Sequence, residues 1–330
     1  MVDVALQEGV IVSVVGVARA KALDRLRLSD TVFRHLTRAA AVGVLLLLSG
    51  VIISLIDGSL PALRTFGFDF LTTDRWNPVT EKFGALAPIY GTLVTSIIAM
   101  VIAVPVGLMI AFFLTELCPQ WLRRPIGIAI ELLAGIPSII YGIWGLFIFA
   151  PFLQETLQPF LINTLGNTPL VAPLFAGPPY GIGVLTAALI LAIMVLPFVT
   201  SISRDVFEAV PAVLKEAAYG VGCTTWEVVR NVVLPYARVG VIGGVMLGLG
   251  RALGETMAVT FVIGNAHRVS PSLLAPGTTI SATIANEFTE ALGDLYTSSL
   301  IALGLILFVI TFIVLAMARY MLLRIERRIG

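Results

Sequence analysis

Six runs of about 20 mainly apolar residues decide what this chain can become, because that length carries a helix across the hydrocarbon of a bilayer. They fall at roughly Ala39–Ile56, Gly91–Leu114, Pro125–Ala150, Gly181–Ser203, Val239–Gly264 and Ser299–Leu322. Hydrocarbon offers backbone amides no water, so such runs must satisfy their hydrogen bonds internally, as helices. Only 12% of the residues are charged, against about 25% in soluble domains. The expected fold is therefore all-α, a polytopic membrane protein with six transmembrane helices. A formal net charge of +1 over 330 residues gives no bulk attraction to nucleic acid. The early run Val10–Ala18 is short and is followed by Arg19 and Lys21, which does not fit a cleaved leader.

Lys and Arg set the orientation. Sixteen lie in the N-terminal segment, in the loops between spans two and three and between spans four and five, and in the C-terminal tail. Four, Arg64, Arg75, Lys82 and Arg268, lie in the opposite loops. Both termini are thus expected in the cytoplasm, with the protein in a bacterial plasma membrane. Cys118 and Cys223 then face a reducing compartment, where a structural disulfide is not expected. His35 and His267 are placed outside the spans, without metal-site neighbours; no metal site is expected.

Residues 1–38 read as a cytoplasmic arm and residues 39–330 as the six-span domain. In the arm, Ser29 or Asp30 can cap a short amphipathic helix with Val32, Phe33 and Leu36 on one face. That helix suits the lipid surface or a partner. Long outer segments, Asp57–Lys82, Pro151–Tyr180 and Asn265–Thr297, suggest a docking surface for an external protein; plugs over the bundle are the blander reading. Pro105, Pro137 and Pro197 fall inside spans two, three and four, where proline kinks a helix.

Between spans four and five lies KEAAYGVGCTTWEVVRNVVLP, Lys215 to Pro235. Pro211 can open a short helix over Ala212–Tyr219, and Gly220 or Gly222 can end it. Thr224 and Glu227 then have the spacing of a capping box for a second helix, which Leu234 and Pro235 are expected to stop. The predicted product is a polar-faced knob able to take a push from a soluble partner.

This stretch resembles the EAA loop of ABC-importer permeases, over about 204–238. Glu216, Ala217, Ala218, Gly222, Val232, Leu234 and Pro235 stand at that family's spacing, with Val232 where the family has Ile. The resemblance implies the ABC-importer permease fold, in which the knob docks on a separate ATPase. Lys21, Lys82 and Lys215 are the only lysines and none follows a glycine, so no Walker A loop is present. No cofactor is expected in this chain; ATP and Mg would belong to the ATPase.

From about Ala87 onward the blocks APIYGTLVTSIIA, RRPIGIAIELLAGIPSIIYGIWGLFIFAPFL, GGVMLGLGRALGETMAVTFVIGN and LGLILFVITFIVLA are similar to C-type permeases of phosphate importers. That narrower resemblance implies a transport subunit without catalytic residues. Its implied partners are a second, related permease in a heterodimer, an ATPase dimer and an extracytoplasmic phosphate-binding protein.

Arg251 and Glu255 are the only charges from Val239 to Gly264. In an unbroken helix their i,i+4 spacing puts them on one face. Gly244/Gly248 and Gly250/Gly254 form small-xxx-small pairs that allow close helix approach. The pair could simply be self-neutralising, but a buried ion pair often fails to recover its desolvation cost. A guanidinium instead offers phosphate a bidentate, charge-assisted fork, and the resemblance also makes Arg251 and Glu255 transport-critical. They are the expected substrate path. Glu131, placed in span three, is read as structural or gating, paired with Arg251 or with Arg123 or Arg124. Thr256 and Thr260 can add hydroxyls, or bond their own backbone. The alternatives are an importer of another oxyanion, sulfate or molybdate, and an ion-gradient-driven secondary transporter, which the EAA loop opposes.

Overall fold

The computed structural model describes residues 2–166, 168–169 and 171–326, with side chains from 29 to 324 apart from 167, 170 and 321. The described residues form helices joined by loops, with one isolated β-bridge, Asn77 to Lys82. Six helices are long and apolar enough to cross a membrane. Two compact units can be distinguished, residues 1–57 and 58–330.

The first helix, α1, runs over Val2–Phe66. Ser29 and Asp30 are helical within it, so neither caps a separate arm helix as the sequence reading expected. No Gly or Pro interrupts residues 30–39, and nothing local breaks the chain there. His35 consequently lies in the same continuous helix as the first apolar run. The outer segment after Asp57 is also partly helical, through Phe66 and again in α2, Asp69–Thr72.

Next come α3 (Leu86–Leu117) and α4 (Gln120–Ala134), then α5 (Ser138–Leu165) and α6 (Val184–Glu208). The predicted third span is therefore displaced. Its first part, Pro125–Ala134, belongs to the separate amphipathic helix α4, and Pro137 caps α5 instead of kinking a span. Proline disfavours helical backbone at the residue before it, which locates the break at Gly135–Pro137. The first half of the predicted outer loop Pro151–Tyr180 is helix, up to Leu165. Pro105 and Pro197 do lie inside helices α3 and α6.

Among the described residues four wide π turns occur, at Phe113–Leu117, Gly145–Phe149, Leu153–Leu157 and Val229–Val233. Each ends two residues before a proline: Pro119, Pro151, Pro159 and Pro235. Proline removes one amide donor and its ring crowds the carbonyl four residues back. At Pro151, Pro159 and Pro235 the wider turn moves that carbonyl aside and the chain stays helical where a regular α turn would clash, whereas at Pro119 the helix has ended and Cys118 is extended. For this reason Leu234 and Pro235 do not stop the helix. One helix, α8, runs from Thr225 to Gly254 after the short α7 (Ala212–Gly220).

The remaining helices are α9 (Met257–Val262), α10 (Ile280–Glu287) and α11 (Asp294–Glu326). Thus the third outer segment is partly helical too. Helix α6 is the hub. Its Ile190, Leu191, Met194, Val195 and Val199 are buried against Ala99 and Ala103 of α3, Ala252 of α8 and Val262 of α9. Apolar burial alone drives little association between helices already in lipid, so close packing of small residues carries the contact. A Cβ on Gly240, Gly244 or Gly248 would meet Val206, Ile202 or Val195 of α6 within 3.0 Å. That stripe confirms the Gly244/Gly248 pair as a packing surface. Gly250 instead faces Leu315, and a Cβ on Gly254 would meet nothing within 4 Å.

Candidate functional site

Arg251 lies in the last turn of α8, which ends at Gly254. Glu255 is extended, with φ −68° and ψ 130°, before α9 begins at Met257. The two charges expected on one helical face are therefore divided by a break, and they form no ion pair among the described residues. The Glu255 carboxylate accepts the amide of Ala258 at 3.2 Å, so its present work is to cap α9. Capping satisfies a donor that the start of a helix leaves open.

Arg251 stacks over Phe198 of α6, its guanidinium carbon 4.4 Å from the ring centroid. Its Nε is buried with no hydrogen-bond partner. A ring face offsets part of the cost of desolvating a guanidinium, on the order of 1–2 kcal/mol. It occupies none of the guanidinium's in-plane donors. The group is held flat and short of an acceptor at a broken span, a geometry suited to an oxyanion. Thr260 Oγ1 donates to the Thr256 carbonyl at 2.7 Å, and Thr256 Oγ1 to that of Gly254 at 3.4 Å. Both hydroxyls are taken up by their own backbone.

Glu131 is not an intramembrane partner of Arg251, Arg123 or Arg124. It sits on α4, outside the six membrane-length helices. Arg204 holds it at 2.7 Å and also reaches Asp205 at 2.9 Å.

At the EAA loop, Thr224 accepts the amide of Glu227, and the Glu227 carboxylate accepts the amide of Thr224, completing the predicted capping box. Gly222 has φ 89°, a left-handed backbone that glycine adopts without Cβ strain. Glu216 and Ala217 point outward, whereas Ala218 packs beside the buried cluster of Phe207, Val228 and Val233. The exposed face is more apolar than the sequence reading held: Val221 is 82% exposed and Trp226 64%. Sequence reasoning also missed the anchor. Lys215 Nζ donates to Glu116 at 2.6 Å and to the Phe207 carbonyl at 3.3 Å, tying the knob to α3 and α6.

A second polar cluster was likewise missed. Glu287 accepts hydrogen bonds from Trp76 and from Tyr296, the latter at 2.7 Å, and pairs with His267 at 2.7 Å. His267 stacks on Trp76 at 5.4 Å between centroids, so it is not the bystander its sequence context suggested. Burial disfavours the Glu287 anion, but the bonds from His267, Tyr296 and Trp76 outweigh it and hold the carboxyl below the usual carboxylate range.

Comparison with known proteins follows the same lines. Residues 103–327 match the family model described as binding-protein-dependent transport system inner membrane component. A protein of Mesorhizobium japonicum named phosphate transport system permease protein PstC is 71% identical over 95% of this chain and 96% of its own. The protein of that name from Pasteurella multocida is 58% identical over 91% and 94%. Among solved structures, a bacterial alginate ABC transporter in complex with its alginate pentasaccharide-bound periplasmic protein superposes with a TM-score of 0.59. The identity is 17%, over 88% of this chain and 94% of that one, which establishes a shared fold. The chain is a multi-pass membrane protein and belongs to the family of inner membrane components of binding-protein-dependent transport systems.

Proposed function

We propose that this chain is a permease subunit of an ATP-driven importer that carries inorganic phosphate into the cytoplasm by alternating access. The observation that carries the site assignment is the buried Nε of Arg251, without an acceptor, beside the break between α8 and α9. The relatives named as phosphate permeases supply the substrate class. Arg251 provides a charge-assisted fork for phosphate oxygens. Glu255 fixes the start of α9 and reorients as that break flexes. A second, related permease completes the path, and an extracytoplasmic phosphate-binding protein delivers the anion. ATP and Mg act on a partner ATPase dimer, whose movement is received at Glu216, Ala217, Ala218 and Gly222. Glu131 serves a structural role through Arg204. Both termini lie in the cytoplasm, with residues 1–38 as the N-terminal arm.

The test is ATP-driven uptake of labelled phosphate by the assembled complex carrying Arg251→Gln in proteoliposomes. We expect at least a tenfold loss of uptake, the order expected for one lost charge-assisted contact, with the ATPase still co-purifying. Near-wild-type uptake would remove Arg251 from the path. Competition by sulfate or molybdate at equal strength would leave the mechanism intact and broaden the substrate to tetrahedral oxyanions.

A further inference from the structure

Between α4 and the last turns of α6 lies a cleft of about 300 Å³. Arg123, Arg124, Glu131, Arg204 and Glu208 supply its charges, and Ile128 forms an apolar edge. These charges do not cancel. Arg204 takes up Glu131 and Asp205. It is seated against the backbone of α4, where a Cβ on Gly127 would stand 2.7 Å from its guanidinium nitrogen. Arg123 gives one N–H to the Thr115 carbonyl at 2.5 Å, but its Nε is buried without a partner. Arg124 is exposed. Neither Arg123 nor Arg124 has a carboxylate within ion-pair distance among the described residues, and Glu208 is the one carboxylate of the cleft left to oppose them.

Two unpaired guanidiniums make a fork for phosphate oxygens. The surroundings favour a phosphate that carries a hydrocarbon tail. Trp121 is 76% exposed and Leu132 68%, and with Ile128 they continue along α4 as an apolar strip beside the cleft. Arginine and tryptophan at the headgroup level, with aliphatic residues beyond, are the marks of an interfacial helix. Free phosphate would satisfy the arginines and leave the strip in water. The basic excess places the cleft on the cytoplasmic side, where anionic lipids attract such residues.

We propose that this cleft binds the phosphate headgroup of an anionic phospholipid, held by Arg123 and Arg124, with its acyl chains along Ile128 and Leu132. The site is separate from Arg251 and does not depend on the transport assignment. The test uses the full complex, extracted from membranes containing phosphatidylglycerol and phosphatidylethanolamine, with the retained lipid counted by mass spectrometry. Wild type should retain phosphatidylglycerol in preference to phosphatidylethanolamine. Arg123→Gln with Arg124→Gln should lower that preference about tenfold. Arg124→Gln alone, at an exposed position, should lower it partly without risk to folding, and Arg124→Lys, which keeps the charge but not the planar fork, should recover only part of the loss. An excess of inorganic phosphate should not displace the lipid. Displacement by phosphate would overturn the lipid assignment in favour of a free-anion site. Equal retention by wild type and the double variant would overturn the site, as would a wild-type complex with no preference because a partner subunit covers the cleft.

Discussion

At the scale of single residues, the contrast between Arg251 and Glu287 separates a group that lacks a partner from one that has several. Arg251 rests on a ring and keeps a buried donor unmet. Glu287 is enclosed by Trp76, His267 and Tyr296, which tie the distant Trp76 segment to the stretch from His267 to Tyr296. A carboxylate satisfied in this way is a brace. Glu287→Gln should cost roughly 2 kcal/mol, the scale of hydrogen bonds to a charged group, read as a lower unfolding midpoint at neutral pH. The pH dependence has a defined sign. The folded carboxyl is held below its ordinary range, so its stabilisation is complete above the unfolded value near ~4.3. It is lost as pH falls through the folded value. Wild type should therefore lose midpoint stability on acidification below about pH 4.3, and Glu287→Gln should flatten that part of the curve. An unchanged acid limb in the variant would show that the brace does not contribute. None of this was legible in the sequence, because Trp76, His267 and Glu287 form no local pattern. The break after Arg251 has one local signal in the sequence, Gly254 as the last residue of α8, since glycine is a poor helix former.

At the scale of elements, the apolar runs were legible because the bilayer imposes length and polarity together. Their limits were not. The amphipathic helix α4 merged with α5 in a reading by hydrophobicity, since Ile126, Ile128, Ile130, Leu132 and Leu133 resemble the start of a span. Proline misled in the opposite direction. Pro235 reads as a stop, yet the preceding π turn keeps α8 continuous from the capping box at Thr224 to Gly254. The second helix of the knob, from Thr225, is thus continuous with the helix that carries Arg251, while Glu216, Ala217 and Ala218 sit on α7 across the Gly222 turn. Movement at the cytoplasmic surface has an unbroken helical lever to the candidate site. That lever lies on α6 through Gly240, Gly244 and Gly248, a stripe of which the sequence reading named two. A Cβ on Gly244 would already stand 2.8 Å from Ile202, so a leucine there must push the helices apart. Overpacking of this kind costs typically about 1–3 kcal/mol. Gly244→Leu should lower the unfolding midpoint and reduce uptake, whereas Gly254→Ala, at an open position in the same helix, should change the midpoint little. Both substitutions raise helix propensity, so equal loss in both would mean that the contact with α6 does not set the outcome.

At the scale of the whole molecule, the sidedness of the proposal rests on a charge count of sixteen against four, and the structure supplies a probe of it. Cys118 is buried and Cys223 is partly exposed, and neither is in a disulfide. Cys223 stands in the turn between α7 and α8, next to Gly222 and the Thr224 cap. It therefore reports the side on which the knob emerges. A membrane-impermeant thiol reagent should label the protein in inside-out vesicles and leave it unlabelled in right-side-out ones, and Cys223→Ser should abolish the labelling. Cys118 should react only after unfolding, because its side chain is packed at the end of α3. Labelling of Cys223 from outside would invert the topology, removing at once the ATPase contact assigned to Glu216–Gly222 and the cytoplasmic-leaflet lipid assigned to Arg123 and Arg124. Repeating the inside-out measurement on the complex separates orientation from docking. A knob seated in an ATPase should be protected, so labelling should fall when the ATPase is present and return when it is stripped. Labelling unaffected by the ATPase would keep the orientation and displace the docking surface from the knob. Docking can therefore fail while the orientation stands, whereas a failed orientation takes the docking with it, and both are read at the one turn at Gly222 that separates α7 from α8.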